Sequence, residues 1–340
     1  MPSLLDALRE ASQVDCDTLD SQVAERLGPF VDCTSNQAIA FFELSRPVSG
    51  DSRLHHAELI KSAISEANGP LQRLQGLLSL EAFAVEVLMV KLQLRIAPNV
   101  TGRLHVQTNP KFSYSTAASV ENAERILAIF GALAPDLDPR KVCIKIPATW
   151  EGLQACRAVE AKGIATLATT MFCMEQAVLA ADAGCTYIAP YVNELKVHFE
   201  HGFVDDHKAF DLCREAQTYF RDNAHRTRVV AASLTSVDEV MQLAGLDHIT
   251  VSPGLLHKLA ARDASSWSGS PGAYVAADPD KPRAQYRELV ANEAAWRLAF
   301  TRSGFGTSEG KMVQVINYFA DFDEKLEALV KQLSEPDDAI

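Results

Sequence analysis

The stretch Val142-Cys143-Ile144-Lys145-Ile146-Pro147 has the composition of a buried β-strand with one charge near its centre. β-Branched residues favour strands because they pack well on a pleated surface. A lysine held inside such a strand loses most of its hydration, and desolvation disfavours the ammonium form. The pKa of Lys145 should then fall toward neutrality, giving an amine that can form a Schiff base with a ketone. The alternative is a strand-end lysine whose ammonium group reaches water.

Short β-rich runs lie on both sides of this strand and alternate with segments of helical periodicity. Eight strands with intervening helices predict an α/β fold, the (βα)8 TIM barrel. A doubly wound sheet is the alternative, but no glycine-rich phosphate turn follows a predicted strand. The predicted strands are 13–17, 30–36, 103–108, 142–147, 164–172, 186–192, 228–233 and 248–252, and the predicted helices between them include 150–162, 174–183, 210–221 and 237–244.

The length of 340 residues suits one large barrel, and we predict a single domain over residues 1–340 with its barrel core at about 13–260. An N-terminal helix and two or three helices within 54–92 should precede the third strand. A loop at 264–282 should lead into a C-terminal helical extension at about 283–335, with helices at 285–300 and 312–333. These helices should pack outside or on top of the barrel.

The composition argues against several kinds of partner. A net charge of −12 disfavours nucleic acid and anionic membrane surfaces. The longest apolar region, 77–96, is interrupted by four charged residues, so we expect no membrane span. The seven cysteines form no CxxC pair and the histidines lack metal-ligand spacing, which predicts a reduced, cytoplasmic protein without a metal site. Self-association into a homo-oligomer is left open.

Polar residues stand at the carboxyl ends of the predicted strands, where catalytic groups of a (βα)8 barrel are found. Strand ends are also polar simply because loops begin there. Together, however, these residues would surround one lysine with hydrogen-bonding groups and a single carboxylate. They are Asp17, Asn36, Gln107, Lys145, Thr169, Tyr191 and Ser233.

Three runs resemble the transaldolase family: VDCTSN at 31–36, KIPATWEG at 145–152 and IAPYV at 188–192. The similarity extends from about residue 17 to 259, and the stretch 319–327 is similar to the C-terminal helix of the family. The resemblance implies a (βα)8 barrel, a small carbonyl or sugar substrate, and class I aldol chemistry without a metal or organic cofactor.

The resemblance also implies roles for individual residues. Lys145 matches the Schiff-base lysine, and Asp17 matches the aspartate that handles the hydroxyl proton during carbon–carbon cleavage. Asn36 matches the asparagine that holds substrate hydroxyls, Thr169 the threonine that positions the catalytic water, and Ser233 a substrate-site serine.

Other positions depart from the transaldolase pattern. Transaldolases carry glutamate, phenylalanine and serine where this chain has Gln107, Tyr191 and Ala189. With Thr169, these residues resemble the fructose-6-phosphate aldolase subgroup. A phenol can donate a proton to a water or an enamine, which phenylalanine cannot. Release of the protonated enamine as a free ketone would make the protein an aldolase. The alternative is drift in a degenerate paralogue.

The two phosphate-binding arginines of the family correspond to Glu194 and Thr235. Arginine offers a planar bidentate donor to phosphate, whereas a glutamate would repel it by about 1 kcal/mol or more at contact distance. An unphosphorylated substrate is therefore expected. Replacement cations are the alternative, although solvated surface charge explains each candidate: Lys196, His198, Arg226, Arg228 and Lys258.

The leading prediction is thus a Schiff-base aldolase acting on a hydroxyketone donor. One alternative is an authentic transaldolase that moves dihydroxyacetone units between sugar phosphates in the pentose phosphate pathway. The other is a barrel without catalysis that serves as a binding or scaffold protein.

Overall fold

A computed structural model describes residues 1–50, 53–276, 286 and 289–334. Within these residues, eight parallel strands form a closed barrel in sequence order, and the last strand pairs with the first. The predicted (βα)8 architecture is confirmed. The strands are β1 (Gln13–Asp17), β2 (Cys33–Thr34), β3 (Leu104–Gln107), β4 (Val142–Pro147), β5 (Ala165–Met171), β6 (Tyr187–Pro190), β7 (Arg228–Ala231) and β8 (His248–Val251).

The strands β1 and β4 have the predicted bounds, whereas β2 is much shorter than the predicted 30–36. Phe30 forms only an isolated bridge to Val100. At the other end, Asn36 already caps the following helix, so the chain has left the sheet. The strand-like sequence pattern at 30–36 therefore extends beyond the residues that are hydrogen-bonded to a neighbouring strand.

The helices surround the barrel and extend beyond it. The stretch 54–92 contains one complete helix, the greater part of a second and a short 3₁₀ turn, in line with the two or three expected. Residues 277–285, 287, 288 and 335 of the predicted loop and C-terminal extension lie outside the described residues. The helices are α1 (Leu4–Ala11), α2 (Ser21–Leu27), α3 (Gln37–Leu44), α4 (Ala57–Ala67), α5 (Leu80–Ile96), α6 (Thr116–Leu133), α7 (Trp150–Ala161), α8 (Met174–Asp182), α9 (Phe210–Asp222), α10 (Val237–Gln242), α11 (Pro253–Ala261), α12 (Ala273–Ala276), α13 (Glu293–Arg302) and α14 (Thr307–Ser334).

Strand β4 divides its side chains between two layers. Ile144 and Ile146 belong to the large apolar core shared with the surrounding helices. Cys143 belongs to a second cluster with Leu167 inside the barrel. Because successive side chains of a strand point to opposite faces, Lys145 shares the inner face with Cys143.

Most of the apolar region 77–96 forms the helix α5. Its Glu86 is buried and accepts hydrogen bonds from Arg125 of α6 at 2.7 Å and 2.9 Å. Among the described helices, none has the combination of length and apolar character that crossing a membrane requires.

The long helix α14 packs against α3, α4 and α5. It is also tied to the segment after β3, because Asn109 Nδ2 donates a hydrogen bond to Asp323 Oδ2 at 2.8 Å and Lys111 pairs with Glu327 at 2.8 Å. Since β3 ends just before Asn109, this contact places α14 on the side of the barrel where the strands end.

The turn between β4 and α7 has a specific local construction. Thr149 Oγ1 accepts a hydrogen bond from the backbone N–H of Gly152 at 2.8 Å and so caps the helix. A Cβ atom at position 152 would lie 2.0 Å from the Pro147 carbonyl oxygen. The threonine and the glycine of this motif therefore fix the chain direction directly after Lys145.

The substitution Gly152→Ala should lower the free energy of unfolding by about 1–3 kcal/mol, because the new methyl group collides with backbone rather than with a movable side chain. A matched control is Gly131→Ala in α6, where no atom of the described residues lies within 4 Å of the added Cβ. Alanine there should stabilise the protein slightly, by up to about 1 kcal/mol. Urea unfolding of both variants checks this, and equal effects would contradict the close approach.

Candidate active site

A cavity of about 420 Å³ lies at the carboxyl ends of the barrel strands. Six of the residues predicted from the sequence line this cavity: Asp17, Asn36, Lys145, Ala189, Tyr191 and Ser233. It extends outward along α3 and α14, which supply Ile39, Phe42, Tyr318 and Phe319. The remaining predicted residues do not line it: Gln107, Thr169, Glu194 and Thr235.

Lys145 is 4 % exposed, so it is not the snorkelling strand-end lysine of the alternative interpretation. Its Nζ donates a hydrogen bond to the Ser35 carbonyl oxygen at 3.2 Å. Burial lowers the pKa of Lys145 below the ordinary lysine value, and the Asp17 carboxylate opposes this effect. A larger fraction of neutral amine is therefore present near neutral pH than for a lysine in water.

Asp17 is oriented by two threonines. The Thr34 hydroxyl donates to Asp17 Oδ1 at 2.7 Å, and the Thr34 and Thr250 hydroxyl oxygens are 2.6 Å apart. Because Thr34 uses its only proton on the carboxylate, Thr250 is the donor to Thr34. This chain of hydrogen bonds from β8 through β2 fixes the carboxylate on β1.

Asn36 stands at the first turn of α3. Its Oδ1 accepts a hydrogen bond from the backbone N–H of Ile39 at 3.0 Å. This cap holds the side chain at the cavity wall and leaves the amide NH2 as the group that could donate to a ligand.

Tyr191 is buried at the end of β6, and burial raises the pKa of its phenol well above the ordinary value, with the nearby Thr169 hydroxyl acting in the opposite direction. The phenol is protonated at neutral pH and is a proton donor. Between β5 and β6 the pairing register shifts, and Thr170 has a φ of 59°. This irregularity changes the direction of β5 directly after Thr169.

Two predicted catalytic side chains hold buried polar atoms with no hydrogen-bond partner among the described residues. They are the Thr169 hydroxyl and both amide atoms of Gln107. Gln107 is in register with Lys145 on the adjacent strand. It also lines a separate small cavity with Asn109 and Asp323. Buried polar groups are normally paired, so these atoms are candidates for contact with water or a ligand.

Ser233 follows β7 in the left-handed conformation, with a φ of 60°. Its hydroxyl donates a hydrogen bond to the Asn193 carbonyl oxygen at 2.9 Å. His198 Nε2 lies 2.9 Å from Ser233 Oγ. Because the serine has only one hydroxyl proton, His198 must be the donor in the bond between His198 and Ser233. Partial desolvation lowers the pKa of His198. The sequence indicated a solvated histidine, and His198 is indeed exposed, but it also lines the cavity. The sequence signal that could have placed His198 at the cavity is its position shortly after the end of β6.

Glu194 and Thr235 belong to polar networks beside the cavity. Glu194 lies 3.2 Å from Lys196 and 3.7 Å from Lys311 of α14. The Thr235 hydroxyl donates to Glu239 at 2.9 Å. The repulsion of phosphate expected from Glu194 is therefore offset by two lysines.

The other candidate replacement cations lie elsewhere. Arg226 binds Glu160 and precedes β7, and Arg228 begins that strand, so both lie at the opposite end of the barrel from the cavity. Lys258 is an exposed residue of α11.

A buried network of two aspartate–histidine pairs lies in the barrel toward the amino ends of its strands. Asp15 pairs with His248 at 3.0 Å and Asp32 with His105 at 2.9 Å. Burial by itself would raise the pKa of Asp32, but the hydrogen bond and charge of His105 lower it to about 2. Ligand atoms of Asp15, Asp32 and His248 lie within 4.8 Å of one another, a spacing that could hold a metal ion. Hydrogen bonds inside the protein already engage both carboxylates and the His248 Nδ1.

The fold and the site define a (βα)8-barrel protein with a buried lysine in a cavity at the carboxyl ends of its strands. Residues 14–302 match the family described as Transaldolase/Fructose-6-phosphate aldolase. The chain belongs to this family, as its motifs predicted, and is a transaldolase-family enzyme.

Related proteins cover most of the chain. One from Alteromonas mediterranea, named Transaldolase, is 28% identical over 344 residues, which is 98% of this chain and 99% of its own length. Proteins of the same name from Rhizobium leguminosarum bv. trifolii and Rhizobium etli are 32% and 31% identical over 76% and 82% of this chain, and 78% and 86% of their own lengths. The resemblance to the fructose-6-phosphate aldolase subgroup at individual positions stays a prediction.

The substitution Asp17→Asn should lower the pKa of Lys145 further, because it removes the negative charge that stabilises the ammonium form. The pH dependence of Lys145 modification by an amine reagent, followed by peptide mass spectrometry, checks this. The midpoint should lie below 10.5 in the native protein and lower still in the variant. Glu25→Gln on the exposed face of α2 is the control, and an unchanged or raised midpoint in Asp17→Asn would refute the coupling.

Proposed function

We propose that the protein is a class I aldolase of this family, in which Lys145 forms a Schiff base with an unphosphorylated hydroxyketone such as dihydroxyacetone or hydroxyacetone. The observation that carries this proposal is the buried Lys145 with its lowered pKa, which lines the same cavity as Asp17 and Tyr191. A neutral lysine amine is the species that attacks a ketone carbon.

The first steps follow from the chemistry of these groups. The amine of Lys145 attacks the ketone, and loss of water gives an imine. Removal of a proton from the neighbouring carbon then gives an enamine. In the synthetic direction the enamine carbon attacks an aldehyde, and Asp17 supplies the proton to the new hydroxyl; in cleavage, Asp17 accepts it. Asn36 and Ser233 would hold the donor oxygens.

Tyr191 supports aldolase behaviour rather than transfer. Like any tyrosine phenol it is protonated at neutral pH, and burial raises its pKa further. It can therefore return a proton to the enamine directly or through a water positioned by Thr169 and Gln107. Protonation converts the enamine to an imine, and hydrolysis of the imine releases a free ketone. The unpaired polar atoms of Thr169 and Gln107 suit such a water.

The charges of the cavity support a substrate without phosphate. Among the described residues that line it, there is no arginine and Lys145 is the only lysine. Three carboxylates also line it, those of Asp17, Asp20 and Glu43. A dianionic phosphate would meet more negative than positive charge there.

A second candidate is transfer of dihydroxyacetone units between sugar phosphates. The name Transaldolase of the relatives favours it. It would require a phosphate site built from residues other than Glu194 and Thr235. The cytoplasmic location and any homo-oligomer stay predictions; all seven cysteines are free and buried, as expected for a reducing compartment.

The Schiff base can be tested by borohydride reduction and intact-mass measurement with dihydroxyacetone, hydroxyacetone and fructose 6-phosphate. We expect adducts with the two small ketones in the native protein and in Lys61→Ala, an exposed-lysine control, and none in Lys145→Ala. A strong adduct with fructose 6-phosphate would favour the transaldolase instead. The absence of any adduct would refute the aldolase proposal and favour a binding or scaffold protein.

The role of Tyr191 can be tested without an acceptor, by hydrogen–deuterium exchange at the α-carbon of dihydroxyacetone followed by NMR. Tyr191→Phe should slow the exchange by about tenfold or more, because the general acid is lost. The borohydride adduct should persist, since Lys145 is intact. Tyr114→Phe, at an exposed tyrosine, is the matched control. Equal exchange rates in the two variants would exclude Tyr191 as the proton donor.

A further inference from the structure

We infer that the outer half of the cavity is a binding site for an aromatic group, so that the acceptor is an uncharged aldehyde carrying an aromatic ring. This inference rests on the proposed aldolase function and specifies its second substrate. The inner end of the cavity holds Lys145 and Asp17, whereas the outer wall is formed by aromatic side chains of α3 and α14.

Phe42 is the most exposed part of this wall. It is 60 % exposed and yet lines the cavity. A large apolar side chain exposed at the entrance to a catalytic cavity is available to cover a ligand. It lies six residues after Asn36 on the same helix, so one element connects the proposed donor site to the proposed acceptor site.

The rest of the aromatic wall comes from α14, and Phe199 of the loop after β6 supports it from outside the cavity lining. Tyr318 and Phe319 line the cavity. The Tyr318 ring stacks on Phe199 with centroids 4.8 Å apart and planes at 19°. Phe322, behind the wall, lies 5.1 Å from Phe42 and 4.9 Å from Tyr318. These contacts fix the orientation of the rings, and an aromatic ligand would continue the same tilted and stacked packing.

The polar groups near the wall do not suit an anionic acceptor. Asp20 and Glu43 line the cavity, but both are paired with Arg46, at 2.8 Å and 3.3 Å. Arg46 is thereby committed to these carboxylates. Burial lowers the pKa of His198, which favours its neutral form. Lys325 lies 4.2 Å from the centre of the Phe322 ring, behind the wall, and does not line the cavity. Among the described residues, the outer wall of the cavity is therefore largely apolar and contributes no lysine or arginine.

The carbon–carbon bond would form at the junction of the two halves. The enamine carbon on Lys145 attacks the aldehyde carbon, and the aldehyde π bond breaks. Its oxygen takes up a proton through Asp17, which balances the proton lost when the enamine formed. Water then hydrolyses the imine and releases the product, while the aromatic ring of the acceptor rests against Phe42 and Tyr318.

The test fixes dihydroxyacetone as donor and compares phenylacetaldehyde, glycolaldehyde and glyceraldehyde 3-phosphate as acceptors. We expect kcat/KM to be at least tenfold higher for phenylacetaldehyde than for either of the others. In Phe42→Ala and Tyr318→Ala, the ratio of phenylacetaldehyde to glycolaldehyde should fall at least tenfold, mainly through KM. Phe42→Leu keeps apolar bulk and should lose less.

Phe305→Ala is the matched control, since Phe305 is fully exposed away from the cavity and its loss should leave the ratio unchanged. A preference for glyceraldehyde 3-phosphate, or a ratio unaffected by both Phe42→Ala and Tyr318→Ala, would overturn the inference. Borohydride trapping and α-carbon exchange need no acceptor. If they succeed while the aromatic preference is missing, only this inference fails; if they fail, the proposed function fails first.

Discussion

The architecture around the candidate active site depends on the removal of one lysine side chain from water. Lys145 lies on the inner face of β4, where burial disfavours its charged form. The protein compensates with the Ser35 carbonyl oxygen and with the carboxylate of Asp17, which the Thr34–Thr250 chain holds in place. These partners come from β1, β2 and β8, so the closed barrel itself brings them together. An open sheet would separate the first strand from the last and lose this arrangement.

Features set by neighbouring residues could be predicted from the sequence. The bounds of β4 follow from its β-branched residues, and the inward direction of Lys145 follows from the period of two along a strand. The start of α7 follows from Thr149 and Gly152, whose cap and close approach involve residues within five positions of each other. The carboxyl ends of parallel strands meet on one side of a barrel, which explains why Asp17, Tyr191 and their neighbours share a cavity.

Features set by distant residues could not be predicted in this way. The prediction of an unphosphorylated substrate was based on the negative charge of Glu194. That charge is offset by Lys311, which belongs to a helix after the barrel. The same helix brings Tyr318 and Phe319 to the cavity, and no periodicity in the sequence indicates which side of the barrel it will cover. The shortness of β2 likewise depends on where β1 and β3 offer partners. Packing between elements decides each of these points.

The division between the two halves of the site has a physical origin. The inner half consists of strand residues whose positions are fixed by barrel hydrogen bonds, and it is the part that the motifs of the family identify. The outer half consists of α3, the segment after β6 and α14, whose packing depends on apolar contacts and on the Asn109–Asp323 hydrogen bond. Substitutions there alter the shape and charge of the entrance without moving Lys145. If the proposed function holds, the reaction step and the choice of acceptor can change independently, because the residues proposed for them belong to different structural layers of one barrel.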